Sequence, residues 1–270
     1  MKRTLCRLAG PLTLSSLLAC STTVQADCTD LESYYEAASA AESSEELRSS
    51  LHGIISANYV RIPYDQLWDK FVETDTAFSD DDPPVAEVRL IYTQRKASES
   101  AKLSGKIPEA GDWNREHTWP QSRGLGVKST PQYSDLNHIR PADYKANSAR
   151  GNKNFGPASN AVNGSAGVPA GKESSNTFEP KDQVKGDVAR MLFYMEVRYP
   201  HLRLIKGDAP EGSKKPEMGQ LCTLLKWHEA DAVSDAEALR NVAVCGLQKN
   251  RNPFIDHPEW VSVIWGASCS

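Results

Sequence analysis

The 270-residue chain has no surplus of positive charge. Its 31 Lys and Arg stand against 35 Asp and Glu, a net charge of −4 with histidine neutral. Avid nucleic-acid binders usually carry a basic face, so this balance argues at first against such a partner. Past the N-terminus no apolar run approaches the ~18 residues of a membrane helix, which excludes a helical membrane protein. No cysteine pair has C-x-x-C spacing, so zinc-ribbon and dithiol-redox readings are poor. Internal repeats are absent, as is any linker long enough to separate one domain from another. With 39% hydrophobic and 24% charged residues, the composition excludes collagen-like and disordered chains.

What is present begins with residues 1–26. Lys2, Arg3 and Arg7 precede an apolar stretch from Leu8 to Ala19, and Val24-Gln25-Ala26 is a small-x-small site before Asp27. This reads as a secretory signal peptide, so the product is exported, to the periplasm or the extracellular space. Leu17-Leu18-Ala19-Cys20 also looks like a bacterial lipobox, in which Cys20 would carry a lipid anchor. Cleavage after Ala26 is preferred because Leu18 is less typical before the lipobox alanine. Removing three bases and no acid leaves residues 27–270 at a net charge of −7. Cys28, Cys222, Cys245 and Cys269 remain. In an oxidising compartment they are expected to form two disulfides, with three possible connectivities. The expected pairing is Cys28–Cys269, tying the termini, with Cys222–Cys245 nested inside.

Residues 28–58 read as helical, with Leu47, Leu51, Ile54 and Ile55 on one face. A second helix is expected over Tyr64–Thr74, and an acidic, Pro-rich loop over Ser79–Pro84. Asp80-Asp81-Asp82 lacks the alternating spacing of calcium loops, so a solvated loop is favoured there. Ala86–Thr93 is a strand candidate and Asn160–Gly171 a loop. Asp187–Tyr199 is a strongly apolar, buried helix ended by Pro200. Leu221–His228 and Ser234–Val244 are helical, the latter opened by a Ser234/Glu237 capping box. The pattern is α+β: one mostly helical domain around a small sheet, expected to be monomeric.

Charge is uneven along this domain. Residues 27–110 carry a net −9, whereas residues 111–160 carry +3. The basic segment holds the unusual motifs. Trp113–Trp119 can form a short strand containing Glu116-His117, although neighbours on a strand face opposite sides. They share a site only if a twist re-aims one or the site wraps the strand. Leu136–Arg140 can form a second strand, with Pro141 opening a helix that runs to Arg150 and Gly151 capping it. On that helix Asp143, Asn147 and Arg150 would share one face. The ensemble is a ββα unit able to clamp a cation. Glu116 and Asn147 offer oxygen ligands suited to Mg²⁺, with Mn²⁺ or Ca²⁺ as alternatives. His117 can activate a water as general base. These are the components that phosphodiester hydrolysis requires.

Three stretches, WNREHTWPQSRG (113–124), DLNHIRPADYKANSARGNKNFG (135–156) and NRNPFIDHPEW (250–260), resemble the bacterial endonuclease I family. These are periplasmic or secreted, nonspecific nucleases of the ββα-metal (His-Me finger) superfamily. The resemblance covers most of residues 45–265. It implies that His117 is the general base, that Glu116 and Asn147 hold one divalent ion, and that the substrate is DNA, often also RNA. It leaves the phosphate-holding arginine among Arg123, Arg140 and Arg150, with Arg123 and Arg140 preferred.

Bland readings stand beside these. Asp135 and His138 are expected to orient the site by hydrogen bonds rather than to react. Trp113 and Trp119 are expected in the core, and Asp256 and His257 in structural roles. The alternative function is a non-catalytic exported or lipid-anchored binding protein on a nuclease scaffold. Such a decayed enzyme should have lost a member of the constellation, and none is missing.

Overall fold

The computed structural model describes residues 27–78 and 86–269. The expected signal segment with Cys20, and the Asp80–Asp82 stretch, lie outside the described residues. The architecture is α+β.

The N-terminal helical region divides into α1 (Leu31–Tyr34), α2 (Glu36–Ser39) and α3 (Ser44–Ser56). Ser43 caps α3 by accepting the Glu46 amide, and Leu47, Leu51 and Ile55 bury one face at four-residue steps. Helix α4 (Leu67–Thr74) buries Leu67, Trp68 and Phe71. Strands β1 (Thr76–Phe78), β2 (Ala86–Arg89) and β3 (Lys96–Ser98) then form an antiparallel meander. The strand expected to reach Thr93 stops at Arg89, because the chain turns at Gln94, whose amide bonds the Leu90 carbonyl at 2.8 Å.

Strand β4 (Trp113–His117) pairs antiparallel with β5 (Ile139–Asp143), which runs directly into α5 (Tyr144–Arg150). The second strand therefore lies three residues later than expected. Pro141 sits within β5, opposite Arg115, rather than in a first helical turn. Its carbonyl accepts the Ile91 amide at 2.9 Å, a role that needs no proline N–H. Asp143 starts the helix instead, its carboxylate accepting the Lys145 and Ala146 amides. An N-cap carboxylate satisfies the helix's first free donors, which Pro141 cannot do. Gly151 ends α5 at φ +57°, as its type allows.

Next come β6 (Asn154–Phe155), β7 (Asn160–Asn163), β8 (Pro169–Glu173) and β9 (Thr177–Pro180), ordered β6-β9-β8-β7 in one sheet. The segment expected as a loop, 160–171, is thus mostly the hairpin β7–β8. Buried Val162 and Ala170 are enough to seat it. Gly171, at φ +144°, allows close strand approach: a Cβ there would lie 2.3 Å from the Glu179 carbonyl oxygen.

Helix α6 (Lys185–Arg198) forms the centre, with every residue from Val188 to Val197 buried. It packs against α3, α7 (Leu221–Ala230) and α9 (Pro253–Asp256). Helix α8 (Asp235–Gln248) carries the expected capping box, and α10 (Trp260–Trp265) buries Val261 and Trp265. A larger core surrounds α6. A smaller one gathers Leu67, Phe71, Val88, Trp113 and Ile139. The β4–β5–α5 unit lies where the two meet: Trp113 and Ile139 enter the smaller core, Ala142 and Ala146 the larger.

Both expected disulfides form, but with exchanged partners. Cys28 bonds Cys245, and Cys222 bonds Cys269, across Cα separations of 5.9 and 5.5 Å. The N-terminal segment is joined to the end of α8 and the C-terminus to α7, so each terminus is tied to a helix rather than to the other. The crosslinks close loops spanning 217 and 47 residues. Chain-entropy arguments assign each about 4–5 kcal/mol at most.

A buried charge network joins these elements. Asp75 accepts from Arg140 Nε at 2.5 Å and Arg240 Nε at 3.1 Å, while Arg190 makes a two-pronged pair with Glu237 at 2.8 and 2.6 Å. Burial alone would raise Asp75's pKa, but Arg140 and Arg240 outweigh it and hold the carboxyl below its ordinary value. Its folded pKa lies below its unfolded one, so its stabilisation is full above the unfolded pKa, about 3.9. It fades as pH falls through the folded value. Asp75→Asn should therefore cost about 3–5 kcal/mol in urea denaturation at pH 7. The gap between variant and wild type should narrow as the pH is taken down from the unfolded value, about 3.9, through the lower folded one.

Candidate active site

The site is built on the edge of β4. Strand β4 pairs with β5 along one edge and carries only a bridge from Trp113 to Lys102 on the other, so a cleft of about 390 Å³ can run along the rest of that edge. Residues from both strand faces reach it: Asn114, Arg115, Glu116 and His117 all line the cleft, with Gln121, Asn147 and Asn152. The adjacency of Glu116 and His117 is thus no obstacle, since the site wraps an edge rather than a face.

His117 is almost fully buried, and both ring nitrogens are engaged. Nε2 lies 2.9 Å from the Tyr133 carbonyl oxygen, which can only accept, so Nε2 carries the proton. Nδ1 lies 2.9 Å from Gln121 Nε2, and the Tyr133 hydroxyl donates to Gln121 Oε1 at 2.7 Å. That bond fixes the Gln121 amide with its NH₂ toward the histidine, so Nδ1 is the acceptor. The three residues, Tyr133 through both its carbonyl and its hydroxyl, close a ring of bonds that admits one tautomer. Burial, reinforced by neighbouring His138, holds the imidazole well below its ordinary pKa, so the neutral form stands ready.

Glu116 is 2% exposed. Its Oε1 accepts from the Tyr92 hydroxyl at 2.5 Å and pairs with Arg150 Nη1 at 3.2 Å. Burial raises its pKa, with Arg150 and Tyr92 opposing the rise. Asn147 donates through Nδ2 to Asn114 Oδ1 at 2.7 Å and to the Arg115 carbonyl at 3.2 Å. Both amide hydrogens are therefore used against β4, which leaves its Oδ1 as the donor atom available on the cleft wall. One carboxylate and one amide oxygen, both hard, fit a Mg²⁺-like ion that keeps several waters. Among the described residues, the one cluster of three His, Cys, Asp or Glu ligand atoms is Asp27, Cys28 and Cys245. Its two sulfurs are bonded to each other.

The sequence expectations for arginine need correction. Arg123 is buried, donating to the Asn152 carbonyl at 2.8 Å and the Glu217 carbonyl at 3.1 Å. Arg140 is held by Asp75 and lies 3.8 Å from Asp187. Neither lines the cleft, so neither is placed to meet a substrate phosphate. Arg150 is fully buried; its fork donates to the His117 carbonyl at 2.9 Å and to the Thr118 carbonyl. Asp143 is likewise no member of a helical stripe. It is the cap, and it also accepts from Ser165.

Asp135 and His138 sit behind the site. Buried Asp135 accepts the Tyr194 and Tyr199 hydroxyls at 2.8 and 2.7 Å, the Gln248 amide and the Asn137 amide. His138 bonds the Gln132 carbonyl at 2.8 Å and has its ring centroid 5.5 Å from that of His117. Burial lowers its pKa to about 3. Both residues brace the loop that presents the Tyr133 carbonyl. Trp113 and Trp119 are fully buried, and Asp256 is paired with Arg251 and accepts from Tyr35 and Asn241. Sequence reasoning missed Tyr92, Gln121 and Tyr133. Gln121 alone left a signal, its position four residues after His117.

A neutral, tautomer-locked histidine beside oxygen donors, on a hairpin backed by a helix, is the layout of a ββα nuclease. The chain belongs to the endonuclease I family: the family model described as Endonuclease I matches residues 43–259. It is 43% identical over 244 residues to a protein named extracellular ribonuclease from Bacillus amyloliquefaciens. It is 41% identical over 243 residues to one of the same name from Bacillus subtilis (strain 168). Each match covers 87% of this chain and 79% of the relative.

Removing Arg150 would leave Glu116 buried without its cation and free two carbonyls at the end of β4. Arg150→Ala should lower the unfolding free energy by about 3–5 kcal/mol, read from urea denaturation.

Proposed function

We propose that the protein is an exported nuclease hydrolysing phosphodiester bonds of RNA and DNA, with His117 as general base and a divalent cation held by Glu116 and Asn147. The observation that carries this is the bond ring of His117, Gln121 and Tyr133, which turns the unprotonated Nδ1 toward Gln121 on the cleft wall. Membership of a nuclease family supports the reaction class, and the names of the two relatives support RNA as a substrate and an extracellular site of action. The sequence alone puts DNA first; those names move RNA alongside it.

The chain's own residues divide the work. Gln121 is exposed, so its amide can swing away and yield its place on Nδ1 to a water. Nδ1 takes a proton from that water as its oxygen attacks phosphorus. The bond from phosphorus to the departing ester oxygen breaks, and that oxygen takes a proton from solvent. Tyr133 holds the imidazole in orientation throughout and accepts from the growing positive charge at Nε2–H. Glu116 and Asn147 would hold the divalent cation, which when bound neutralises charge on the phosphate and leaving oxygens.

His117→Ala should keep the fold and its melting transition while RNA and plasmid DNA degradation fall about 10²–10⁴-fold. Chelation by EDTA should abolish wild-type degradation, and added Mg²⁺ or Mn²⁺ should restore it. Undiminished cleavage by His117→Ala would assign the base elsewhere.

A further inference from the structure

The cleft does not end at His117. Arg115 lies on its wall and also on the wall of a neighbouring groove of about 520 Å³, lined by Arg61, Tyr64, Asp65, Trp68 and Lys128. Its guanidinium is held in place. The Cζ atom stands 3.6 Å from the Tyr64 ring centroid and 4.2 Å from that of Trp68, and Nη1 donates to the Tyr64 carbonyl at 2.5 Å. Yet no carboxylate lies within ion-pair distance of it among the described residues. The same holds for exposed Arg61 and Lys128, although Lys128 Nζ comes within 5.8 Å of the Tyr64 ring. This contrasts with Arg123, Arg140, Arg150, Arg190, Arg240 and Arg251, which are all consumed by internal partners. Three cations and one carboxylate, Asp65, give the groove a positive balance within a chain that is acidic as a whole.

Building on the nuclease reading, we propose that Arg115, with Lys128 and Arg61 beyond it, binds the phosphates of a polynucleotide that flank the scissile one. Arg115 is a phosphate-binding fork at the junction of cleft and groove. Aromatic contacts and a backbone carbonyl pre-set its direction, and it lacks only an anion. Arg115 covers a face of Tyr64 and of Trp68, so the groove offers phosphate contacts rather than a bare aromatic platform for a base. Binding there is accordingly independent of sequence and dependent on length and salt.

The test compares a single-stranded RNA or DNA 20-mer with a dinucleotide too short to reach the groove. In the Arg61→Ala/Lys128→Ala double variant, kcat/KM on the 20-mer should fall about tenfold, mainly through KM, while the dinucleotide loses much less. The slope of log KM against log salt for the 20-mer should become shallower by about one for each lost phosphate contact. Arg115→Lys, which keeps the charge but not the fork, should also raise KM on the 20-mer at an unchanged melting temperature. Equal losses on both substrates, or an unchanged salt slope, would overturn the groove assignment. If wild-type protein cleaves neither substrate with Mg²⁺ or Mn²⁺, the nuclease reading itself fails. If it cleaves both and the variants match it, the groove alone fails.

Discussion

Arg150 joins the last turn of α5 to the last residues of β4. Its guanidinium reaches the His117 and Thr118 carbonyls and the Glu116 carboxylate, and it rests 4.5 Å from the Phe155 ring centroid. A fully buried cation is costly unless it is paired and hydrogen-bonded, and this one is both. The pairing fixes the distance between helix and strand, hence the relation of Asn147 to Glu116. It also fixes the backbone on which His117 is mounted. A site that works through oriented hydrogen bonds needs such a rigid mount, because small displacements of reacting groups cost rate heavily.

Two further constraints converge on the same unit. Asp135 is tied by tyrosines of α6 and its C-terminal end and by Gln248 of α8, so the loop carrying Tyr133 is bolted to the central helix. The Asp75–Arg140–Arg240 cluster bolts β5 to α4 and α8 from the other side. Arginines in this chain thus serve two separate ends. Six are buried struts, whereas Arg61 and Arg115, with no carboxylate partner among the described residues, line the groove beside the cleft. Net charge averages over both and over the acidic shell. For that reason a chain of −4 can still present a locally positive strip to a polyanion.

Much of this was legible in the sequence, for identifiable reasons. Helices α3, α6 and α8 follow from apolar spacing and capping, both local signals. The roles of Trp113, Trp119 and Asp256 follow from their surroundings in sequence. Glu116, His117 and Asn147 come to one cleft because strand, loop and helix lie within one short segment. Long-range geometry was not legible. Cysteine spacing does not say which helices the termini pack on, so the disulfide partners exchanged. Pro141 looked like a helix opener because the Ile91 amide that holds its carbonyl is fifty residues away. Arg123 and Arg140 looked like phosphate ligands because their partners, Glu217 and Asp75, lie 94 and 65 residues away in the chain. Arg115, beside Glu116 and His117, gave no sign of its difference until Tyr64 and Trp68 were seen around it.

The proposed mechanism depends most on one proton. Nε2 of His117 must carry it and Nδ1 must not, or no base faces the cleft. Nitrogen-15 NMR of the histidine rings in the metal-free protein near neutral pH reads this directly. The expected spectrum is that of a neutral His117 with a protonated Nε2 and a bare Nδ1. A His117 ring protonated on Nδ1 alone would contradict the assignment of this residue as the base.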